Sequence, residues 1–437
     1  MSSLQGDQYV GWHVNRGIDQ TPDFHRAVQF ERLLYRPDIV SAALRAGALP
    51  ASRGLVAAER FDAARLAQIA PPRLAIRVLA LDKAGDGSRR ARIRITGERR
   101  AQALRDVTVY VNEIPITRAS ERTLGWTESN RFARDIEVPL SAASNEIRVE
   151  SLTDVAMGVA ERVVWLDGAP APPAAQGDLY VLAIGNNAFP HLPPTSNLEF
   201  AARDAEALAA ALASHGPRSF RRVHLEVFSD ERARKADRQT VLDALAMTRR
   251  ARAEDTVVVF LASHGVSDRA GNYWFVPRDA TVADLEAVEN SPPDRAPRPA
   301  SLLSWSVFFD ALRDTVGRRL LVVDTCQAKG MEGRFESFSL MKRSAASRFS
   351  LMVAAQSNEE SQEYTPARHG LFTYALLQAL SPGADTDRDG QLSIAEVFAA
   401  AAPVVARLHD RALGAQTPAL IAPAALAASP LAASPLR

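Results

Sequence analysis

Two apolar runs in this chain end in chemically reactive side chains. Val257-Val258-Val259-Phe260-Leu261 leads into Ala262-Ser263-His264-Gly265, and Leu320-Leu321-Val322-Val323 leads into Asp324-Thr325-Cys326. Short, unbroken, β-branched runs of this kind read as strands covered on both faces, the pattern of a parallel α/β sheet. In open α/β sheets chemistry is placed at the carboxyl ends of the strands. Cys326 is the only cysteine. A thiol there needs an imidazole to form thiolate or to protonate a leaving amine. Of the eight histidines only His264 lies in a matching context; the others are at 13, 25, 191, 215, 224, 369 and 409.

The 437 residues suggest two or three domains. A hydrophobic content of 47%, a charged content of 24% and a net charge of +1 describe an ordinary globular chain. Such a balance gives no general attraction to nucleic acid or to an acidic membrane. No run approaches the roughly 18 apolar residues of a spanning helix. Met1-Ser2-Ser3-Leu4-Gln5-Gly6-Asp7 lacks the basic and apolar parts of a signal peptide. One cysteine can build neither an internal disulfide nor a cysteine-rich zinc site. The expectation is a cytoplasmic protein with no nucleic-acid or membrane partner.

Residues 1–70 read as an irregular or helical lead-in, with short helices near 30–35 and 39–44 broken at Pro37. From 71 to 168 the period becomes two. Ile76 and Val78, Ile93 and Ile95, Val107, Val109 and Val111, Ile136 and Val138, and Ile147 and Val149 alternate with polar or small neighbours. This predicts a small β-sandwich of immunoglobulin-like size. It carries no catalytic constellation and reads as a spacer or a docking module for a protein partner. The Ala/Pro-rich stretch 169–177 is a linker. From 178 to 423 strand and helix patterns alternate, predicting an α/β domain with a mostly parallel sheet flanked by helices. Residues 424–437, rich in Ala, Ser and Pro, read as a disordered low-complexity tail.

Asp385-x-Asp387-x-Asp389-Gly390-x5-Glu396 matches the EF-hand calcium loop. Its oxygen ligands would be Asp385, Asp387, Asp389, the Gln391 carbonyl and Glu396. The same spacing also occurs in metal-free turns capped by aspartate. Calcium is the one cofactor expected, and none is expected for the chemistry.

Further segments join the two strand ends in a consistent order: the strand 180–185, Phe200-Ala201-Ala202-Arg203-Asp204-Ala205, and His369-Gly370-Leu371-Phe372-Thr373-Tyr374-Ala375. With Ser263-His264-Gly265 and Val323-Asp324-Thr325-Cys326, they resemble the caspase-like cysteine peptidases, in particular bacterial relatives of metacaspases. The resemblance covers about residues 178–410. It implies the caspase–hemoglobinase fold and a cysteine endopeptidase. Cys326 would be the nucleophile, His264 the general base or acid, and the backbone N–H groups of Gly265 and Cys326 the oxyanion hole. Two departures from the metacaspase pattern flank the dyad: Ser263 where glycine is usual, and Gln327-Ala328-Lys329-Gly330 where His-Ser-Gly is usual.

Asp324 lies two residues before Cys326 and so shares its side of the strand. Asp204 lies in the segment that, in metacaspases, supplies a second acidic pocket residue. Two carboxylates there favour a cation, which predicts a protein or peptide substrate with a basic P1 residue, cut after Arg or Lys. The other reading makes both aspartates structural. Lys342-Arg343 and Arg348 form a basic stretch that reads either as an ordinary solvated loop or as a self-processing site. The alternative function is a catalytically silent caspase-like scaffold that serves as an interaction module.

Overall fold

A computed structural model describes residues 9–15, 18–19, 22–30, 71–83, 87–98, 106–122, 131–153, 156–166, 177–269, 272–292, 297–327, 348–356, 359–410 and 413–434. The chain divides into two compact units, Met1–Ala174 and Ala175–Arg437. Among the described residues no helix is long and apolar enough to cross a membrane.

In the first unit Gly11–Val14 (β1) and Asp23–Arg26 (β2) pair antiparallel. Part of the segment expected to be irregular or helical is therefore a hairpin. Trp12 and His25 are register partners, and both set their ring edges against the fully buried Phe30. A period of two, not 3.6, is what brings both rings onto it. The helices expected at 30–35 and 39–44 fall almost entirely outside the described residues. Then follow Arg73–Lys83 (β3), Arg89–Glu98 (β4), Asp106–Val111 (β5), Ile114–Pro115 (β6), Arg131–Leu140 (β7), Ser144–Leu152 (β8) and Met157–Trp165 (β9). They form two antiparallel sheets, β3-β4-β7 and β6-β5-β8-β9. Ala91, Ile93 and Ile95 of β4 share one buried cluster with Val107, Val109, Ile147 and Val149 of the other sheet. Arg90, Arg92 and Arg94 alternate outward.

The second unit runs through Leu179–Gly185 (β10), Ala201–His215 (α1), Val223–Ser229 (β11), Arg238–Ala244 (α2), Thr256–Ser267 (β12), Tyr273–Val276 (β13), Val282–Glu289 (α3), Leu303–Ser304 (β14), Trp305–Arg313 (α4) and Arg318–Gln327 (β15). Ser350–Val353 (β16), Glu363–Tyr364 (β17), His369–Gly370 (β18), Leu371–Ala379 (α5), Gln391–Ser393 (β19), Ile394–Leu408 (α6), Ala419–Ile421 (β20), Ala424–Ala427 (α7) and Pro430–Ala433 (β21) complete it. The main sheet has the order β11-β10-β12-β15-β16-β20. Its first five strands are parallel and β20 is antiparallel. β13 leaves the end of β12 antiparallel. Ala205, Leu208 and Leu212 of α1, Phe372 and Leu376 of α5, and Val397, Ala401 and Val405 of α6 cover Val181, Val258, Phe260 and Val322 on one face.

Of the segment expected as a disordered tail, residues 424–434 are built into this unit. β21 pairs with β19, and Leu431, Ala432 and Ala433 are buried. Small residues that look like low complexity are what lets the chain lie close against the core.

Gly185 ends β10 under α1. A Cβ there would lie 2.1 Å from the Ala201 carbonyl oxygen, so helix and strand approach more closely than any side chain allows. Gly185→Ala should lower the unfolding free energy by about 1–3 kcal/mol, measured by denaturant titration of the full chain. A change below about 0.5 kcal/mol would mean that α1 yields without loss.

Candidate active site

Strands β12 and β15 carry the sequence-predicted dyad to one edge. In the parallel ladder of β12 and β15, His264 is the register partner of Cys326, and Gly265 is that of Gln327. The two residues therefore stand at the same height on adjacent strands, whose spacing is about 4.8 Å. Both strands run on past the dyad rather than ending at it, because β13 pairs with β12 from His264 to Ser267.

His264 is 2% exposed. Its Nε2 donates to the Ser196 carbonyl at 2.6 Å. A carbonyl only accepts, so this bond fixes the proton on Nε2 and makes Nδ1 the basic nitrogen. Phe189 lies against the imidazole, with centroids 5.0 Å apart. Ser196 is held by the Pro-rich turn after β10, where its N–H donates to the Pro193 carbonyl. The same loop is pinned by Asp230, which accepts from the backbone of Asn187 and Ala188. Asn187 in turn accepts from Ala202 N and caps α1. Sequence reasoning found no third member for the dyad, because a backbone carbonyl leaves no residue-type signature.

The flanks of the dyad have physical explanations. Ser263 Oγ donates to the Val276 carbonyl at 2.8 Å, tying β12 to β13. Thr325 and Tyr273 share a 2.6 Å hydrogen bond. A Cβ on Gly265 would lie 1.6 Å from the Tyr273 hydroxyl, so glycine is required by the tyrosine. Residues 328–330 lie outside the described residues, as do Lys342 and Arg343. Arg348 is buried, and its carbonyl accepts from the buried Arg319 at 2.6 Å. It is no part of an exposed loop.

Asp204 and Asp324 come together. A Cβ on Gly370 would be 2.8 Å from Asp204 Oδ2 and 3.0 Å from Asp324 Oδ2. Asp204, 2% exposed, accepts from His369 Nδ1 at 2.6 Å and from Gly370 N at 2.9 Å. Asp324, 6% exposed, accepts from Ser361 Oγ at 2.6 Å and from Thr373 N and Oγ1 at 3.1 and 2.6 Å. Burial drives Asp204 up to about 7; the bonds from His369 and Gly370 oppose it and the Asp324 charge adds to it. Burial also raises Asp324 against its three donors. His369 and Thr373 stood in the family-like segment, but their role depends on chain folding over a long sequence distance.

In the 385–396 loop, ligand atoms of Asp385, Asp387 and Glu396 lie within 4.8 Å of one another. Asp389 is outside this group, and its Oδ1 accepts from Gln391 N at 2.7 Å. Asp385 Oδ2 accepts from Gly390 N at 3.2 Å, and Gly390 takes the φ of +83° that the turn needs. Glu396 is also half of a capping box with Ser393 at the start of α6. Partial burial pushes Glu396 up, but the bonds from Ser393 and Thr386 outweigh it and hold it down at about 2.

No curated protein matches the chain. Among solved structures, protein YXIM of Bacillus subtilis matches at 11% identity over 60% of this chain and 68% of its own, with a TM-score of 0.14. A likeness at that level carries no argument. A family model described as the caspase domain, peptidase family C14, matches residues 179–425. That stretch contains the main sheet with His264 and Cys326, and the chain belongs to the caspase-domain peptidase family.

Proposed function

We propose that the protein is a cysteine endopeptidase that cuts after Arg or Lys through a Cys326–His264 dyad. The observation that carries this reading is the pairing of His264 with Cys326 across β12 and β15, with the imidazole tautomer fixed by Ser196. His264 Nδ1 takes the thiol proton, the thiolate attacks the scissile carbonyl, and the imidazolium then protonates the leaving amine. Water, activated by the same imidazole, hydrolyses the thioester. The N–H groups of Gly265 and Cys326 hold the oxyanion. Asp204 and Asp324, meeting at Gly370, attract the P1 cation. The first unit is an immunoglobulin-like sandwich that recruits a protein partner. A groove of about 770 Å³ lined by Phe24, His25, Pro72, Arg131 and Phe132 supports this. The single cysteine suits the reducing cytoplasm.

The 385–396 loop fits calcium: its gathered donors are hard carboxylate oxygens. Asp385, Asp387 and Glu396 would hold the ion, with Asp389 and the Gln391 carbonyl completing the set. The ion would brace the junction of β19 and α6 rather than enter the chemistry.

Fluorogenic peptides with P1 Arg or Lys should be hydrolysed, and those with P1 Asp should not. Cys326→Ala should abolish turnover, and His264→Ala should lower kcat/KM by about 10²–10⁴. Cleavage after Asp would sink the acidic pocket, and no cleavage under any condition would favour the silent scaffold. Because the Asp204 carboxyl sits up at about 7 and only its ionised form attracts a cation, the ratio of kcat/KM for P1 Arg over P1 norleucine should rise from about pH 6 to about pH 8 and then flatten. Taking the ratio removes the titration of the dyad, and a flat ratio would take Asp204 out of the pocket. Millimolar calcium should raise Tm by about 2 °C or more, and Asp385→Asn should remove the increment. An equal response in both proteins would make the loop a metal-free turn.

A further inference from the structure

Both pocket carboxylates are addressed by one short stretch of chain. Asp204 bonds to the consecutive residues His369 and Gly370, and Asp324 bonds to Ser361 and Thr373. Four of these five bonds come from groups that cannot carry charge. His369 alone can, and it meets Asp204 at 2.6 Å. Among the described residues, no lysine or arginine bonds to either aspartate.

We propose that His369 is a specificity-determining residue, a stand-in within the chain for the P1 cation, which reaches Asp204 only in exchange for the imidazole. The proposal rests on the acidic-pocket reading above. Its logic is charge balance. When both aspartates are ionised, the site stands at −2 with a neutral imidazole and at −1 with an imidazolium. The empty site is tolerable in a dry environment because a positive group can be supplied from within. A P1 guanidinium or ammonium supplies the same charge from outside, so imidazolium and substrate compete for one carboxylate. Among the described residues, the charged and titratable groups facing His369 are Asp204 from α1 and Asp324 from β15, which reaches the adjoining Gly370. Tyr364 stands opposite in the β17–β18 register. Glu363, opposite Gly370, is turned away and accepts from Glu199 N and Phe200 N ahead of α1.

The test uses the full chain, with benzamidine as the probe cation. Binding is measured by calorimetry, and hydrolysis of P1 Arg and P1 Leu peptides is followed alongside. His369→Asn keeps an N–H donor for Asp204 but cannot become a cation. It should bind benzamidine about tenfold more tightly than wild type and raise the Arg-to-Leu ratio through KM. His369→Lys installs a permanent cation and should lose benzamidine binding and lower the ratio. Circular dichroism checks that both variants fold. Opposite movement of the two variants is what a purely structural histidine does not give. If both weaken binding together, or neither moves the ratio while wild type still binds benzamidine, His369 is only a pin and the proposal falls. If neither wild type nor His369→Asn binds benzamidine, the acidic pocket itself is wrong and the proposal falls with it.

Discussion

Asp204 and Asp324 lie almost wholly out of water, one on a helix and the other on the strand that carries Cys326. A buried carboxylate costs several kcal/mol unless donors replace its lost hydration. Much of the local architecture is that replacement. Ser361, His369, Gly370 and Thr373 bring five donors to four oxygens. To do so they fix where the β17–β18 ribbon lies and where α5 begins. Gly370 has no side chain because the space a Cβ would fill lies between the two carboxylates. Removing one donor would leave a charge short of partners, which is far more damaging than a lost surface contact.

The dyad depends on a second constraint at the opposite end of the sheet. Thr256 pairs with Arg318, and eight residues on in each strand His264 pairs with Cys326. The register is set where these strands begin. The Asp255 carboxylate accepts from Asp178 N and Arg252 N, and its carbonyl accepts from Arg318 N. Gly317, at φ +84°, passes so close that a Cβ would sit 2.5 Å from two carbonyl oxygens. A slip of one residue in either strand would break the register that pairs His264 with Cys326. The His264–Cys326 pairing at one edge therefore rests on a turn at the other.

The central strands were legible because their burial on both faces leaves unbroken apolar runs, as in 257–261 and 320–323. The adjacency of His264 and Cys326 was legible because each run ends in a reactive residue. The Asp204–Asp324 pairing could be anticipated only through resemblance, since 120 residues separate them and no local pattern links a helix position to a strand position. Ser196 was invisible because it acts through its carbonyl. β21 was hidden for another reason: alanine and proline look like a linker until a partner strand is known, and β19 lies about forty residues upstream. The hairpin at 11–26 was missed because two four-residue strands offer too few alternations to outweigh the apolar clusters that follow.

The two constraints are joined through α1. Asn187, in the loop that presents the Ser196 carbonyl to His264, caps this helix at Ala202, and Glu363 caps the two N–H groups just ahead of it. Asp204 sits one turn further on. The start of α1 is thus held by the loop that hydrogen-bonds the imidazole and by the stretch that hydrogen-bonds Asp204. Charge at Asp204 and the setting of His264 then share a mechanical link of few parts. On the proposed reading, a P1 cation that displaced residues 361–373 would act on Glu363, on the first turn of α1, and through Asn187 on the loop behind His264. Coupling of this kind needs no change in the sheet, whose register is fixed elsewhere. It requires only that the helix N-terminus, satisfied by side chains rather than by its own cap residue, follow the groups that bond to it.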